Sequence, residues 1–225
     1  KNYTERKLIR RTKNLMLILK NLFIAFEGID GSGKSTQVKL LESRLMKEGH
    51  DVYSTFEPTD QPIGKMIRSI FSKKMVADER TIAALFAADR LEHLLNAEYG
   101  MLQKLAEGYT VLTDRYYLSS YAYHGVHVPM DWVRALNEPC AALRRPDLTC
   151  FLDISAEVSM QRIVKSRESI ELYDTLENQK KVRNKYFEAM ELVKTQENIV
   201  HFDATQQPEL LAEAVWAAVK TLTEK

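Results

Sequence analysis

Phe23-Ile24-Ala25-Phe26-Glu27-Gly28-Ile29-Asp30-Gly31-Ser32-Gly33-Lys34-Ser35-Thr36 reads as an apolar strand, a glycine-rich turn and the first turn of an amphipathic helix. The turn fits the spacing G-x-x-x-x-G-K-[ST], running from Gly28 to Ser35. Each residue type has a mechanical reason to be there. Gly31 and Gly33 permit backbone angles closed to residues with a Cβ, so successive N–H groups can point inward at a phosphate. The helix that follows offers its unpaired N–H groups and positive dipole end to the same anion. Lys34 brings a mobile positive charge to the terminal phosphates, and the Ser35 hydroxyl can sit on a magnesium ion. An incidental lysine in a glycine-rich turn would leave the shared register of strand, motif and helix unexplained. The stretch predicts a bound nucleoside triphosphate, cradled by Gly28, Ile29, Asp30, Gly31, Ser32, Gly33, Lys34, Ser35 and Thr36.

Around this motif the chain has 225 residues, enough for a well-buried core, and one α/β domain is the simplest reading. Hydrophobic residues make up 45% and charged residues 28%, as in an ordinary globular protein. A net charge of +1 gives no whole-molecule field toward nucleic acid or an anionic membrane, so neither is expected as a partner. Cys140 and Cys150 form no C-x-x-C pair and suit a reducing cytoplasm, where small buried apolar roles explain both. No stretch has the length of a membrane-spanning helix. Lys1 to Lys20 is basic and then briefly apolar, like the start of a signal peptide, but no small-residue cleavage site follows. Cleavage there would also remove the strand that holds the loop. Residues 1–21 therefore read as an extension with little role in the fold, Met16 standing just ahead of the first strand. Residues 22–225 read as one domain with a short lid near 166–174.

Past the loop, Val38, Leu41, Leu45 and Met46 continue a helical apolar stripe that Gly49 ends. Asp51 to Phe56 reads as a second strand running into Glu57-Pro58, and Ile63 to Phe71 as a short helix carrying Arg68. A long helical pattern spans Asp78 to Glu107, bent near Gly100. Tyr109 to Thr113 is a third strand, ending at Asp114-Arg115-Tyr116. Helices broken at Gly125 and Pro129 precede a strand from Leu148 to Ile154. Helices over Val158–Arg167 and Leu176–Val193 flank a polar interruption, and a strand from Asn198 to Phe202 leads to the closing helix, Pro208 to Leu222. Strands alternating with helices predict a P-loop NTPase-type, three-layer α/β/α fold around a five-stranded parallel sheet.

In such a sheet, ligands gather beyond the carboxyl ends of the strands. Glu57 follows the second strand; Asp114 and Arg115 follow the third. Asp114 stands where a carboxylate reaches a magnesium shell, or where it would cap the next helix. A guanine-reading switch would need N-K-x-D and D-x-x-G; Asn184-Lys185 is followed by Tyr186-Phe187 inside a helix, and Asp114 has no glycine three residues on. A DNA-dependent ATPase would want a basic groove. A kinase with a phosphate acceptor explains more. Such an acceptor is already an anionic nucleophile, so the chemistry asks for neutralisation and alignment rather than a base. Arginines do this, and Arg68, Arg90, Arg115, Arg162, Arg167 and Arg183 follow the strands.

FEGIDGSGKST (Phe26–Thr36), Glu57-Pro58, FAADR (Phe86–Arg90), DRYYLSSYAYHG (Asp114–Gly125) and RPDLTCFLD (Arg145–Asp153) together resemble the thymidylate kinase family, over essentially everything from Phe23 onward. The resemblance implies phosphorylation of dTMP to dTDP by ATP with Mg²⁺ in dTTP synthesis, in the cytoplasm, by a homodimer. The nearest alternative is another nucleoside monophosphate kinase. It further implies that Phe86 stacks on the thymine ring and Arg90 reaches the base carbonyl. Arg115 would bridge donor and acceptor phosphates, Arg68 would hold the acceptor phosphate, and Asp30 would approach the sugar hydroxyl. Glu57, Ser120, Tyr123 and Gln179 would complete the nucleoside site, with Tyr123 crowding the place of a ribose 2′-OH. Ser35 and Asp114 would hold the metal. The chain departs from the family in two places. His124 stands where many relatives carry a glutamine against the thymine edge, and a histidine donates or accepts there according to tautomer. Gly31 and Ser32 stand where some relatives carry a catalytic arginine, so the lid must supply that cation, with Arg167 the first candidate and Lys165 the second.

Overall fold

The computed structural model describes residues 21–166 and 172–222. Residues 1–20 of the extension, and Arg167, lie outside them. β1 (Phe23–Glu27) is buried at every position, the signature of a central parallel strand covered on both faces. α1 (Lys34–Lys47) follows the loop, then β2 (Val52–Phe56), α2 (Pro62–Phe71), α3 (Glu79–Leu95), α4 (Met101–Ala106) and β3 (Thr110–Asp114). α5 (Tyr117–His124), α6 (Met130–Leu143), β4 (Leu148–Asp153), α7 (Ala156–Ser166), α8 (Leu176–Val193), β5 (Ile199–Asp203) and α9 (Pro208–Thr221) complete the described chain. The five strands are all parallel, in the order β2-β3-β1-β4-β5.

Helices cover both faces. α1 packs with α9, burying Leu41 and Leu45 beside Leu211, Val215 and Trp216; α5 packs with α8, where Val182, Tyr186 and Ala189 are buried. The register aligns the ends that matter. Phe26 of β1 pairs with Asp114 of β3, and Asp114 pairs with Phe56 of β2, so β2 and β3 end level with the penultimate residue of β1. No described helix is long and apolar enough to cross a membrane.

The segment expected as one helix from Asp78 to Glu107 is two. Asp78 caps α3, its carboxylate accepting the Arg80 N–H at 2.9 Å. The Asn96 carboxamide oxygen then accepts the Glu98 and Tyr99 N–H groups at 2.9 and 3.1 Å. That offers the backbone an alternative to the helical ladder and breaks the helix before Gly100. The apolar spacing on either side carries no trace of the interruption.

Candidate active site

The P-loop leaves β1 through a backbone that few side chains tolerate. Gly28 has φ +142°, and a Cβ there would lie 2.5 Å from the Leu152 carbonyl oxygen. Gly33 has φ +93° immediately before the first turn of α1. Lys34 is buried and folds back over the loop, donating to the Gly28 and Ile29 carbonyls at 3.1 and 3.0 Å. Burial, with Arg115 adding to it, pulls the Lys34 ammonium down to a pKa of about 8, against the opposing pull of Asp114, Asp30 and Glu27. The lysine is held in a place where its charge is costly until an anion arrives.

Two cavities open at the carboxyl ends of the strands. One, of about 890 Å³, is lined by Asp30 to Gln37 of the loop, by Phe56, Glu57 and Asp114, and by Arg162 and the turn after β5. The other, of about 590 Å³, is lined by Arg68, Phe86, Ser120, Tyr123 and His124, among others. Asp30 and Arg115 line both. Between the cavity at the glycine-rich loop and the second cavity there is therefore a shared wall built of one acid and one arginine.

Arg115 sits in the left-handed region at φ +76°. Its guanidinium pairs with the Asp30 carboxylate and donates to the Tyr123 hydroxyl at 3.3 Å, Ser119 Oγ at 3.0 Å and the Gly28 carbonyl at 3.3 Å. The Tyr123 hydroxyl also accepts the Asp30 N–H at 3.1 Å, and its ring lies under the guanidinium with 4.9 Å to the centroid. Asp114 accepts a hydrogen bond from the Ser35 hydroxyl at 2.5 Å, bringing the end of β3 to the start of α1. Asp114 does not cap α5, whose N-cap is Tyr116.

In the second cavity the Phe86 ring lies 4.9 Å from the His124 ring. His124 is buried, its Nδ1 has no hydrogen-bond partner among the described residues, and burial beside Arg90 and His127 pulls its pKa down to about 3. The imidazole is neutral. Arg68 lines the cavity with its guanidinium on the Pro58 carbonyl at 2.6 Å, on the Thr59 carbonyl, and on Asp60 at 3.1 Å.

Two expected site residues are not brought to the cavity wall. Arg90 is fully buried behind Ser120. Its Nε donates to Glu57 at 2.8 Å, Nη1 donates to Ser120 at 2.9 Å and to Asn137, and Nη2 donates to the Tyr116 carbonyl at 3.2 Å while forming an ion pair with Glu57 at 2.6 Å. Four of the five guanidinium N–H groups donate to buried protein partners. Gln179 is buried too, its amide donating to the Tyr173 carbonyl at 3.4 Å. Glu57, conversely, faces the triphosphate cavity while paired with Arg90 and within 3.2 Å of His93 Nδ1.

The structure also adds residues. Arg162, one of the arginines that follow the strands, reaches the Gly31 carbonyl at 3.2 Å and the Ala204 carbonyl at 2.9 Å, and so lines the cavity at the glycine-rich loop. Its signal in the sequence was only that of an arginine in a helix after a strand. Glu27 was read as part of the strand, yet it is a fully buried carboxylate directly before Gly28.

Parallel sheet, P-loop and a second cavity across a shared acid–arginine wall define a P-loop nucleotide-binding α/β protein with room for an acceptor. The protein-family model for thymidylate kinase matches residues 26–215, and the chain belongs to that family. It is 40% identical over 181 residues to the "Probable thymidylate kinase" of Pyrococcus horikoshii, covering 77% of this chain and 85% of that one. The proteins of the same name from Methanocaldococcus jannaschii and Pyrobaculum aerophilum are each 37% identical. The first match covers 84% of this chain and 90% of the relative, the second 88% and 96%.

Proposed function

We propose that this chain transfers the γ-phosphoryl group of ATP to dTMP, giving ADP and dTDP. The observation that carries the reading is the wall shared by the two cavities, where Arg115 faces both. An oxygen of the dTMP phosphate forms the new bond to the γ-phosphorus while the bond to the β–γ bridging oxygen breaks. Both partners are anionic, so the protein's task is to hold them in line and offset their charge. Arg115 and Arg68 hold the acceptor phosphate, and Lys34 with the loop N–H groups holds the donor. Ser120, His124 and Phe86 receive the base, with Arg90 acting from behind through Ser120. Asp30 and Tyr123 face the sugar.

The Ser35 hydroxyl and Asp114 carboxylate are two hard oxygens side by side, a donor set that fits Mg²⁺, which takes one or two protein oxygens and completes its shell from phosphates and water. Among the described residues no cluster of three or more acidic, histidine or cysteine side chains offers a fuller cage. The ion, when bound, neutralises charge on the β- and γ-phosphate oxygens. A cytoplasmic homodimer completes the proposal, on the family resemblance.

Coupled measurement of ADP release against a panel of nucleoside monophosphates tests the reading. Release that depends on dTMP above all other acceptors is the expected result. Preference for another monophosphate would reassign the acceptor, and GTP turnover without any acceptor would return the chain to the switch class.

A further inference from the structure

Glu27 is the one carboxylate at the end of β1, fully buried, and it receives four donors. Oε1 accepts the backbone N–H groups of Tyr116 at 2.8 Å and Ser119 at 3.1 Å. Oε2 accepts the Ser119 hydroxyl at 2.6 Å and lies 2.9 Å from the Tyr186 hydroxyl. These donors come from the segment that follows Arg115 and from α8, so one carboxylate ties three elements together. The N-terminus of α5 has no side-chain cap of its own, Tyr116 being its N-cap. Glu27 supplies that cap from another strand, where a negative charge also meets the positive end of the helix dipole.

What the cap holds is the backbone on either side of the catalytic arginine. Arg115 keeps φ +76°, a region an arginine enters only when its surroundings compel it. On its amino side the Arg115 N–H donates to the Phe26 carbonyl at 2.9 Å; on its carboxyl side the Tyr116 N–H is fixed by Glu27. The same ring of groups also touches the guanidinium: Ser119 Oγ and the Tyr186 hydroxyl, both on Glu27, accept from Arg115 at 3.0 and 3.5 Å. Two of the four partners are backbone N–H groups, obligate donors that both fall on Oε1 and make that oxygen an acceptor only. Burial raises the Glu27 pKa, and the donors and Arg115 oppose that rise.

We infer that Glu27 is a positioning residue for Arg115: it sets the strained turn that aims the guanidinium at the junction of the two cavities. The inference rests on the reading that Arg115 spans donor and acceptor phosphates. A Glu27→Gln carboxamide can keep its oxygen on the two backbone N–H groups but loses the charge that tightens those bonds and complements the helix dipole, so the turn is held less firmly. A shift of about 1 Å in a phosphate-holding group can cost about a hundredfold in rate.

A double-mutant cycle on kcat tests it, with thermal unfolding followed in parallel. Glu27→Gln is expected to lower kcat about a hundredfold in the parent but by less than about threefold in an Arg115→Ala background, because the group it serves is gone. Equal losses in both backgrounds would overturn the inference and leave Glu27 as a structural cap, and so would an unchanged kcat in Glu27→Gln. An Arg115→Ala protein with parental kcat would instead defeat the phosphate-spanning reading itself. Should Glu27→Gln fail to fold, Glu27→Asp keeps the charge but draws the carboxylate back from the Tyr116 and Ser119 N–H groups. A loss of about tenfold confined to the Arg115 background supports the inference, and a loss of the same size in both refutes it.

Discussion

The Ser35 hydroxyl donates to the Asp114 carboxylate across 2.5 Å, so the first turn of α1 and the last residue of β3 share one proton-donor contact at the mouth of the triphosphate cavity. A bound Mg²⁺ would be held by these two oxygens. Asp114→Asn keeps the shape and removes the charge. The Mg²⁺ concentration for half-maximal rate is expected to rise by at least about tenfold, with partial rescue at saturating metal. An unchanged magnesium midpoint would remove Asp114 from the metal shell.

Lys34 gives a pH signature. Its ammonium titrates near 8 in the fold and near 10.5 in an unfolded chain, chiefly because it is buried. Between those values the unfolded chain binds more protons, so the stability of the nucleotide-free protein rises with pH across that window. At neutral pH the penalty is about 3 kcal/mol, taking about 1.4 kcal/mol per pKa unit. Lys34→Met should flatten that rise in urea unfolding at pH 7.5 and 9.5, and should abolish turnover. Phosphate oxygens raise the lysine's pKa again, so ATP binding near pH 8.5 is expected to take up a proton. Calorimetry in buffers of different ionisation enthalpy reads this directly; binding without proton uptake would show that Lys34 stays on the loop carbonyls.

His124 is held neutral by burial, with its pKa near 3. The KM for dTMP should then show no inflection from His124 between pH 5 and 8. His124→Ala is expected to raise that KM by about tenfold with kcat little changed, the pattern of binding shared by ground and transition states. An acid-side rise in KM that disappears in His124→Ala would mean the imidazole charges in the working enzyme.

Tyr123 is pinned from two sides, by the Asp30 N–H at 3.1 Å and by Arg115 over its ring. A ring fixed so firmly cannot move away from a ribose 2′-OH. Tyr123→Ala should narrow the preference for dTMP over ribo-TMP by about tenfold, while Tyr123→Phe should keep it. Equal specificity-constant ratios in parent and Tyr123→Ala would assign the ring to packing alone.

The strands and the phosphate cradle were legible because each is local. β1 is a continuous apolar run, and the loop spacing is contained in eight consecutive residues. The partners of Glu27 and Arg90 were not, since Ser119 lies 92 residues from Glu27 and Asn137 lies 47 from Arg90. Periodicity reports which face of an element is buried, not which charged group waits on the far side. Arg90 shows the consequence. Its place in FAADR, one turn after Phe86, suggests a shared pocket, yet the helix carries it past the cavity into a buried ion pair with Glu57. Arg162 errs the other way: α7 packs close enough to the loop for its side chain to cross to Gly31.

The remaining question is which cation stabilises the phosphoryl group in flight. Gly31 and Ser32 leave the loop without an arginine, and Arg183 is held by Asp153 through two bonds of 2.7 and 2.8 Å. Arg162 stands over the loop but rests on the Gly31 and Ala204 carbonyls, beside the turn after β5 that lines the same cavity. Lys165 is exposed on α7, and Arg167 lies outside the described residues. A fork that spans two phosphate oxygens suits the task better than a point charge, which favours an arginine from the lid. Such a finger is worth roughly 10³–10⁵ in turnover, or about 4–7 kcal/mol. Arg167→Ala should therefore lower kcat about a hundredfold or more with dTMP binding almost unchanged, whereas Arg162→Ala should chiefly raise the KM for ATP. If the two patterns come out exchanged, Arg162 is the catalytic cation. If neither variant loses more than about threefold in kcat, Lys165 is the next to replace.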